Sequence, residues 1–319
     1  MGINLLSKGR VMAGSFIGQV QGHHTQLGQV FYHDPASGSD TNSGTSKTDA
    51  KGTLQAAIDL TVADRGDLII RMRGYDQPAT TVNFNKQGIT VMAESFGMNK
   101  RAQGEFFATD PASSTGPAAR ITKGCTILGL GFFGAQASGD NFTAAVILDG
   151  SGGDTDAYGT HFVDCRFGNW NRASVNYGIY NQGAGNCRVE HSHFVGGDAQ
   201  VLDAGILLDN HITAGGGRPC ELDIHECYFE DCTYAIEQVA GSPTKRSLWD
   251  RNHMGWNVPG AAEVRFINKG SASTCTVQVQ GNWNSKGISD AYSHSIGDME
   301  TAGFRLSGNY YKADLGHVA

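Results

Sequence analysis

The sequence has few of the features by which a chain engages membranes or nucleic acids. No apolar window of its 319 residues approaches about 18 residues, so no segment is long enough to span a bilayer as a helix. Its 24 Lys and Arg are outnumbered by 31 Asp and Glu, and no basic run reaches four residues. We therefore expect no membrane and no nucleic-acid partner. The N-terminus also lacks a signal-peptide pattern, which predicts synthesis in the cytoplasm without export.

Cysteine and proline are both sparse, with seven residues each. The seven cysteines include no C-x-x-C pair, so the main signature of zinc sites and of thioredoxin-like sites is missing. We expect these thiols to be reduced and mostly buried. His191 and His193 could chelate a metal along a strand, but no third ligand is placed beside them. The sequence thus predicts no metal site and no cofactor.

Glycine is abundant instead, with 44 residues, and a short motif recurs from about residue 120 onward. The motif runs apolar, two residues, small or Asn-like, one residue, large apolar. Its copies are Leu128-Gly131-Phe133, Phe162-Cys165-Phe167, Val189-Ser192-Phe194, Ile224-Cys227-Phe229, Trp249-Asn252-Met254, Val279-Asn282-Asn284 and Leu306-Asn309-Tyr311. Side chains five apart on a straight strand point to opposite faces, so two apolar ends predict a corner between them. Asn or Gly at the centre would tolerate a left-handed backbone there.

A second motif follows most copies of the first. It reads Ala145-Val-Ile147, Tyr177-Gly-Ile179, Ala204-Gly-Ile206, Tyr234-Ala-Ile236 and Val264-Arg-Phe266. Two motifs that stay in near-register with a spacing of 25 to 35 residues indicate a solenoid of short strands and sharp bends. The fold class that we predict is all-β, a single-stranded parallel β-helix.

The beginning of the chain has a different pattern. Residues 1–30 show no sustained period, and we predict an N-terminal arm that anchors the protein to other components of an assembly. Residues 31–319 form the β-helix domain, with a cap at 31–65 and coils from about 66 to 311. Within the cap, Thr53–Ala63 predicts a short helix with Thr53 as its N-cap and Leu54, Ala57, Ile58 and Val62 on one face.

These patterns carry a family resemblance. The run from Asp34 to Gly74, with GSDTNSGT, GTLQAAID and GDLIIRMRG, resembles the opening of right-handed parallel β-helix proteins of the pectin-lyase-like type, and the first motif resembles their loose coil repeat. The resemblance implies a right-handed β-helix with a capping helix. It leaves function open, because the superfamily includes polysaccharide lyases and hydrolases, bacterial adhesins, and phage tailspikes and other virion proteins.

The catalytic signatures of the polygalacturonase-like and pectate-lyase-like members are absent from the sequence. Acidic and histidine side chains remain on consecutive predicted coils. Asp203, Asp209 and His211 follow one another closely, and the motifs align Glu190, His225 and Asp250 in one column. As an enzyme, the chain would use Asp203, Asp209, Asp250 and Glu190 as paired carboxylates for glycoside cleavage. The alternative is a polar outer column of the kind that every solenoid carries.

A second column follows the predicted corners. It consists of Arg166, His193, Tyr228, His253, Trp283 and Tyr310. If they point outward, these aromatic and basic side chains form a ladder on one face. Such a ladder suits a protein interface, a sugar ring, or simple stacking between coils.

The missing export signal and the N-terminal arm favour a non-enzymatic phage virion protein, either a head decoration protein or a tail-associated spike. Its partners would be other virion proteins bound through residues 1–30, and the resemblance implies a homotrimer. The alternative is a tailspike-like depolymerase that cleaves host surface polysaccharide, and a bacterial surface adhesin is a third hypothesis.

Overall fold

The computed structural model describes residues 28–76, 80–96, 105–108, 116–134, 144–150, 156–169, 176–196, 201–209, 220–255, 265–268, 275–284, 304–307 and 310–311. Most of the predicted arm, together with His211 and Asn309, lies outside these residues. Within them, no helix is both long and apolar enough to cross a membrane. The described strands, numbered β1 to β26 along the chain, form three parallel sheets.

Sheet A contains ten strands. They are β1 (Val30–His33), β2 (Leu68–Arg71), β5 (Thr90–Ala93), β8 (Thr126–Leu128), β11 (His161–Val163), β14 (Cys187–Glu190), β17 (Leu222–His225), β20 (Thr244–Asp250), β23 (Cys275–Gln280) and β25 (Phe304–Ser307). The order in the sheet follows the order in the chain, so each new coil of the solenoid adds one strand.

Sheet B contains nine strands, one from each coil. They are β3 (Gly74–Asp76), β6 (Glu105–Ala108), β9 (Gly131–Gly134), β12 (Arg166–Asn169), β15 (His193–Val195), β18 (Tyr228–Glu230), β21 (His253–Gly255), β24 (Trp283–Asn284) and β26 (Tyr310–Tyr311). Two residues separate each strand from its sheet A strand, except that eleven separate β5 from β6.

Sheet C contains seven described strands. They are β4 (Val82–Phe84), β7 (Ala119–Ile121), β10 (Ala144–Asp149), β13 (Tyr177–Gln182), β16 (Leu202–Leu208), β19 (Cys232–Gln238) and β22 (Arg265–Asn268). The chain therefore runs from A to B to C and returns to A one coil further on. This arrangement confirms the predicted right-handed parallel β-helix.

Stacked phenylalanines fill the inside of the solenoid. Phe132, Phe167, Phe194 and Phe229 lie on successive coils of sheet B, with ring centroids 5.7, 4.9 and 4.7 Å apart and nearly parallel planes. All four are fully buried. Burying a Phe side chain is worth roughly 1.5–3 kcal/mol, so this column is a main source of cohesion between coils. Phe162 meets two of the rings edge-on.

The corner from sheet A to sheet B differs in detail from the sequence prediction. The left-handed residue is not the central Asn or Gly but the residue before it, as in Asp164, His191, Glu226 and Arg251, whose φ angles lie between 50° and 53°. The central side chain points inward and caps the neighbouring coil. Asn252 Oδ1 accepts the Cys227 N–H at 2.9 Å. The Asn is thus selected for its buried amide, not for tolerance of a left-handed backbone.

Three of the predicted motif copies are shifted by one residue, one in the first motif and two in the second. Phe162 pairs with Ile127 and Phe167 with Phe132, so the first copy of the first motif is Ile127-Leu130-Phe132 and not Leu128-Gly131-Phe133. In sheet C, Val146 is the partner of Ile179, and Ile267 is the partner of Ile236. The adjacent apolar residues in each copy made the one-residue alternative equally plausible from sequence.

The predicted cap is present as helix α1 (Leu54–Leu60), preceded by a 3-10 helix at Lys47–Asp49. Thr53 Oγ1 accepts the Ala56 N–H at 3.2 Å, which confirms the N-cap. Leu54, Ala57 and Ile58 are buried against the first coil, but Val62 lies beyond the end of the helix and is half exposed. Strand β1 begins at Val30, at the predicted boundary between arm and body.

Six of the seven cysteines lie in the described interior. Cys125, Cys165, Cys187, Cys220, Cys227 and Cys232 are buried and free of disulfides, as the sequence predicts. Burial raises the pKa of each thiol, which keeps these groups protonated and unreactive.

Candidate active site on sheet C

The four carboxylates predicted as catalytic do not share one face. Glu190 ends β14 and Asp250 ends β20, both in sheet A, whereas Asp203 lies in β16 and Asp209 follows it, both at sheet C. Asp203 and Asp209 are six residues apart along one extended segment, a separation of roughly 20 Å between their Cα atoms. Paired catalytic carboxyl groups lie within about 5–9.5 Å, so these four residues do not form the predicted constellation.

The sheet A column is in register, as the motifs predict. Glu190 pairs with His225, and His225 pairs with Asp250. Glu190 accepts a hydrogen bond from His161 Nε2 at 2.9 Å and forms an ion pair with Arg188. Asp250 lies 2.5 Å from Arg251 Nη1 and 3.8 Å from His225 Nδ1. These carboxylates are thus engaged in bridges within and between coils, an arrangement that stabilises the solenoid wall.

The sheet B column is also in register. Arg166, His193, Tyr228, His253, Trp283 and Tyr310 pair in that order. The first four side chains are half-buried, and the ring of Tyr228 lies 5.1 Å from that of His193 and 4.8 Å from that of His253. The side chains of the last two lie outside the described set. A binding or interface role for this ladder stays a prediction.

The outer face of sheet C carries a cluster that the sequence did not single out. A Cβ on Gly178 would point at the Phe194 and Phe167 rings in the core, so the neighbouring Tyr177 faces outward. On the next coil the partner of Tyr177 is Ala204, whose small side chain leaves the tyrosine ring room. The Tyr177 hydroxyl reaches across it and donates a hydrogen bond to Glu237 of β19.

Glu237 is the central group of this cluster. Its side chain is half-buried, and Asn268 Nδ2 donates to its Oε1 at 2.9 Å. Burial raises the pKa of Glu237, and the negative charge of Asp203 adds to the rise, against the opposing hydrogen bonds from Asn268 and Tyr177. A carboxyl group whose pKa is raised keeps its proton to higher pH, which is what general acid catalysis requires.

Two further carboxylates act on Tyr177 through their charges and differ in their surroundings. Asp203 is exposed and accepts a hydrogen bond from the Asn176 amide. Asp209 is buried, with Tyr180 Oη donating to its Oδ2 at 2.8 Å and Ser242 Oγ to its Oδ1 at 3.3 Å. Asp209 therefore fixes the Tyr180 ring, while Asp203 is open to a ligand.

The two tyrosines are held neutral. Burial raises the pKa of Tyr177, with the charges of Glu237 and Asp203 adding to it. Burial likewise raises the pKa of Tyr180, and its hydrogen bond to Asp209 strengthens the effect. Two neutral tyrosines with anchored hydroxyls beside carboxyl groups form a surface suited to sugar rings.

The second motif of the sequence contains a signal for this cluster. Tyr180, Leu207 and Glu237 each directly follow the isoleucine that closes their copy of the second motif, and they pair in register. A column built from the second motif finds Glu237, whereas columns built from the first motif lead to the bridged carboxylates of sheet A. Among the described residues, no group of three or more His, Cys, Asp or Glu side chains is arranged to hold a metal ion.

The fold is similar to that of solved structures, although sequence comparison finds no relative. No protein-family model and no curated protein sequence matches the chain at a significant level. Among solved structures, pectin methylesterase from carrot superposes with a TM-score of 0.58 at 11% identity over 93% of this chain and 88% of that enzyme. The two proteins thus share the right-handed parallel β-helix fold.

A second similar structure is the GH136 lacto-N-biosidase from Eubacterium ramulus, with a TM-score of 0.59 and 13% identity. The match covers 93% of this chain but only 57% of that enzyme. At such identities the likeness establishes the parallel β-helix fold and nothing about activity. Function must be argued from the side chains on the solenoid surface.

Proposed function

We propose that this protein cleaves a glycosidic bond of a polysaccharide at the sheet C cluster, with Glu237 as general acid. The observation that carries the proposal is the raised pKa of the half-buried Glu237, to which the charge of the exposed Asp203 contributes. Pairs of carboxyl groups whose environments push their pKa values apart divide the acid and base roles of glycoside cleavage. This is the depolymerase alternative of the sequence analysis with a different carboxylate pair.

The reaction needs two groups acting on opposite sides of the bond. Glu237 donates its proton to the glycosidic oxygen as the bond between that oxygen and the anomeric carbon breaks, and the leaving sugar departs as an alcohol. Asp203 supplies the carboxylate that acts at the anomeric carbon, as the base for a water molecule or as the nucleophile. The anomeric configuration of the first product distinguishes the two routes. Tyr177 and Asn268 hold the Glu237 carboxyl group in place.

The fold comparison supports this proposal indirectly. Both neighbours named above are enzymes of carbohydrate chemistry, a pectin methylesterase and a lacto-N-biosidase. The virion structural role predicted from the sequence receives no such support, and the residues 1–27 on which it mainly depends lie outside the described structure. The homotrimer and the virion location stay predictions as well.

The test is the release of reducing ends from a panel of neutral and acidic bacterial surface polysaccharides. We expect one of them to be cleaved, and Glu237→Gln to lower kcat by about 10²–10⁴-fold, the usual contribution of a general acid. In the wild type, kcat should fall as pH rises through the raised pKa of Glu237, because only its protonated form is active. Asp203→Asn should also abolish turnover.

The matched control is Glu190→Gln, which changes the same type of side chain on sheet A and should keep full activity. If no polysaccharide is cleaved, or if Glu237→Gln cleaves as fast as the wild type, the proposal is wrong. Circular dichroism on each variant separates loss of activity from loss of fold.

A further inference from the structure

The corner between sheet C and sheet A carries a row of polar side chains around one exposed aromatic ring. Tyr158, between β10 and β11, is among the few large apolar or aromatic side chains exposed in the described structure, at 48%. Its ring edge packs toward Gly185, where a Cβ would come within 3.3 Å of the tyrosine Cδ2. Glycine at that position therefore leaves the ring free to lie against the corner.

Two grooves meet at this tyrosine. Tyr158 forms one wall of a groove that Asn186, Glu221 and Arg246 also line. On its other side lies a groove lined by Gln87, Lys123 and Asp156. The lining residues come from successive coils, so the two grooves continue one another along the axis of the β-helix.

Backbone hydrogen bonds make the floor of this row rigid. Gly88 N–H donates to Gly124 O at 2.8 Å, Gly159 N–H to Gly185 O at 3.1 Å, and Cys187 N–H to Glu221 O at 3.0 Å. Neighbouring coils lie about 4.8 Å apart, so the six coils from Gln87 to Arg246 span roughly 24 Å. A groove of that length along a rigid corner fits a linear chain of several sugar rings.

The charges of the residues that line the groove favour neutral over acidic oligosaccharides. Its cations are Lys123 and Arg246, and Arg246 is already paired with Glu221 through its Nε at 2.9 Å. The groove also contains three carboxylates, Asp156, Glu221 and Asp223, so carboxylates outnumber cations. Carboxylate and amide oxygens accept hydrogen bonds from sugar hydroxyls, whereas a polyanionic chain would be repelled.

We propose that this corner groove binds a neutral oligosaccharide along the axis of the β-helix, with Tyr158 as the platform for one sugar ring. The choice of a glycan rests on the proposed function, but the groove is a binding site separate from the Glu237 cluster. It would hold the polymer on the enzyme between cleavage events.

The test is isothermal titration calorimetry of the full chain with millimolar cellohexaose, xylohexaose and chitohexaose, each in the Glu237→Gln background to prevent cleavage. We expect at least one to bind. Tyr158→Ala should weaken that binding about tenfold, whereas Tyr158→Phe should preserve it because the ring remains. Val62→Ala, which trims another exposed apolar side chain, is the control and should bind like the parent.

Each outcome decides the proposal. If none of the three neutral chains binds, or if Tyr158→Ala binds as well as the parent, the corner groove is not a glycan site. If only hexagalacturonate binds, and Arg246→Ala abolishes that binding, the neutral specificity is wrong. If the protein binds a glycan through Tyr158 but cleaves nothing, this inference stands and the proposed function is wrong. If it cleaves a polysaccharide but shows no such binding, the proposed function stands and this inference is wrong.

Discussion

At the scale of single residues, the most consequential titratable group in the core is His33. It lies in β1 beside Arg71, which is its partner in β2, and both side chains are fully buried. Burial lowers the pKa of His33 to about 3, and the Arg71 charge acts in the same direction. The folded protein therefore holds this imidazole neutral at pH values where the unfolded chain binds a proton.

The sign of the linkage follows from that difference. Between the unfolded pKa near 6.5 and the folded value of about 3, the unfolded state binds more protons, so stability is present above pH 6.5 and declines as pH falls. We expect His33 to contribute a slope of roughly 1.4 kcal/mol per pH unit in that window. Urea denaturation from pH 7 to pH 4 measures it. His33→Gln should remove this contribution to the slope, whereas His191→Gln, at an exposed position, should keep it. Equal slopes in the wild type and His33→Gln would show that His33 is not its source.

At the scale of structural elements, the sheet A to sheet B corner depends on a ladder of buried amides. Asn252 accepts the Cys227 N–H at 2.9 Å, and its Nδ2 donates to Ile224 O at 3.0 Å and to Asn282 Oδ1 at 2.9 Å. Asn252→Ala leaves the Cys227 N–H buried without its acceptor, which costs about 1–3 kcal/mol for that group and more with the other two bonds. The urea midpoint should fall accordingly.

The exposed Asn83→Ala in β4 provides the comparison and should change stability by less than about 0.5 kcal/mol. If both variants are equally stable, water replaces the Asn252 amide and the ladder is not a stabilising element. The ladder also explains a limit of the sequence prediction. The first motif predicts the corner because Asn252 and Asn282 recur there. A recurring Asn is equally typical of a left-handed backbone and of a buried capping side chain, and only the φ angles of the structure distinguish these two roles.

At the scale of the whole molecule, periodicity predicts the architecture and leaves the site unresolved. The pairs Arg166–His193 and His193–Tyr228 follow directly from motif spacing, because every coil repeats the same A to B corner. The site does not repeat. Burial and the charge of Asp203 raise the pKa of Glu237, against hydrogen bonds from Asn268 and Tyr177. These three residues lie on three other coils, and no single-coil pattern places the side chains together.

The same coil-by-coil construction predicts how the molecule responds to a central defect. Each coil contacts mainly its two neighbours, so stability is close to a sum of coil and interface contributions. Phe194 stacks on Phe167 at 4.9 Å and on Phe229 at 4.7 Å, and Phe194→Ala removes both contacts, which costs about 3–5 kcal/mol. In hydrogen exchange we expect protection to fall most in β15, then in β12 and β18, and least in β2 and β5. The surface variant Val62→Ala should leave the exchange pattern unchanged. A uniform loss across all three sheets would instead show that the β-helix unfolds as one cooperative unit, because a local defect would then lower the protection of every coil by the same amount.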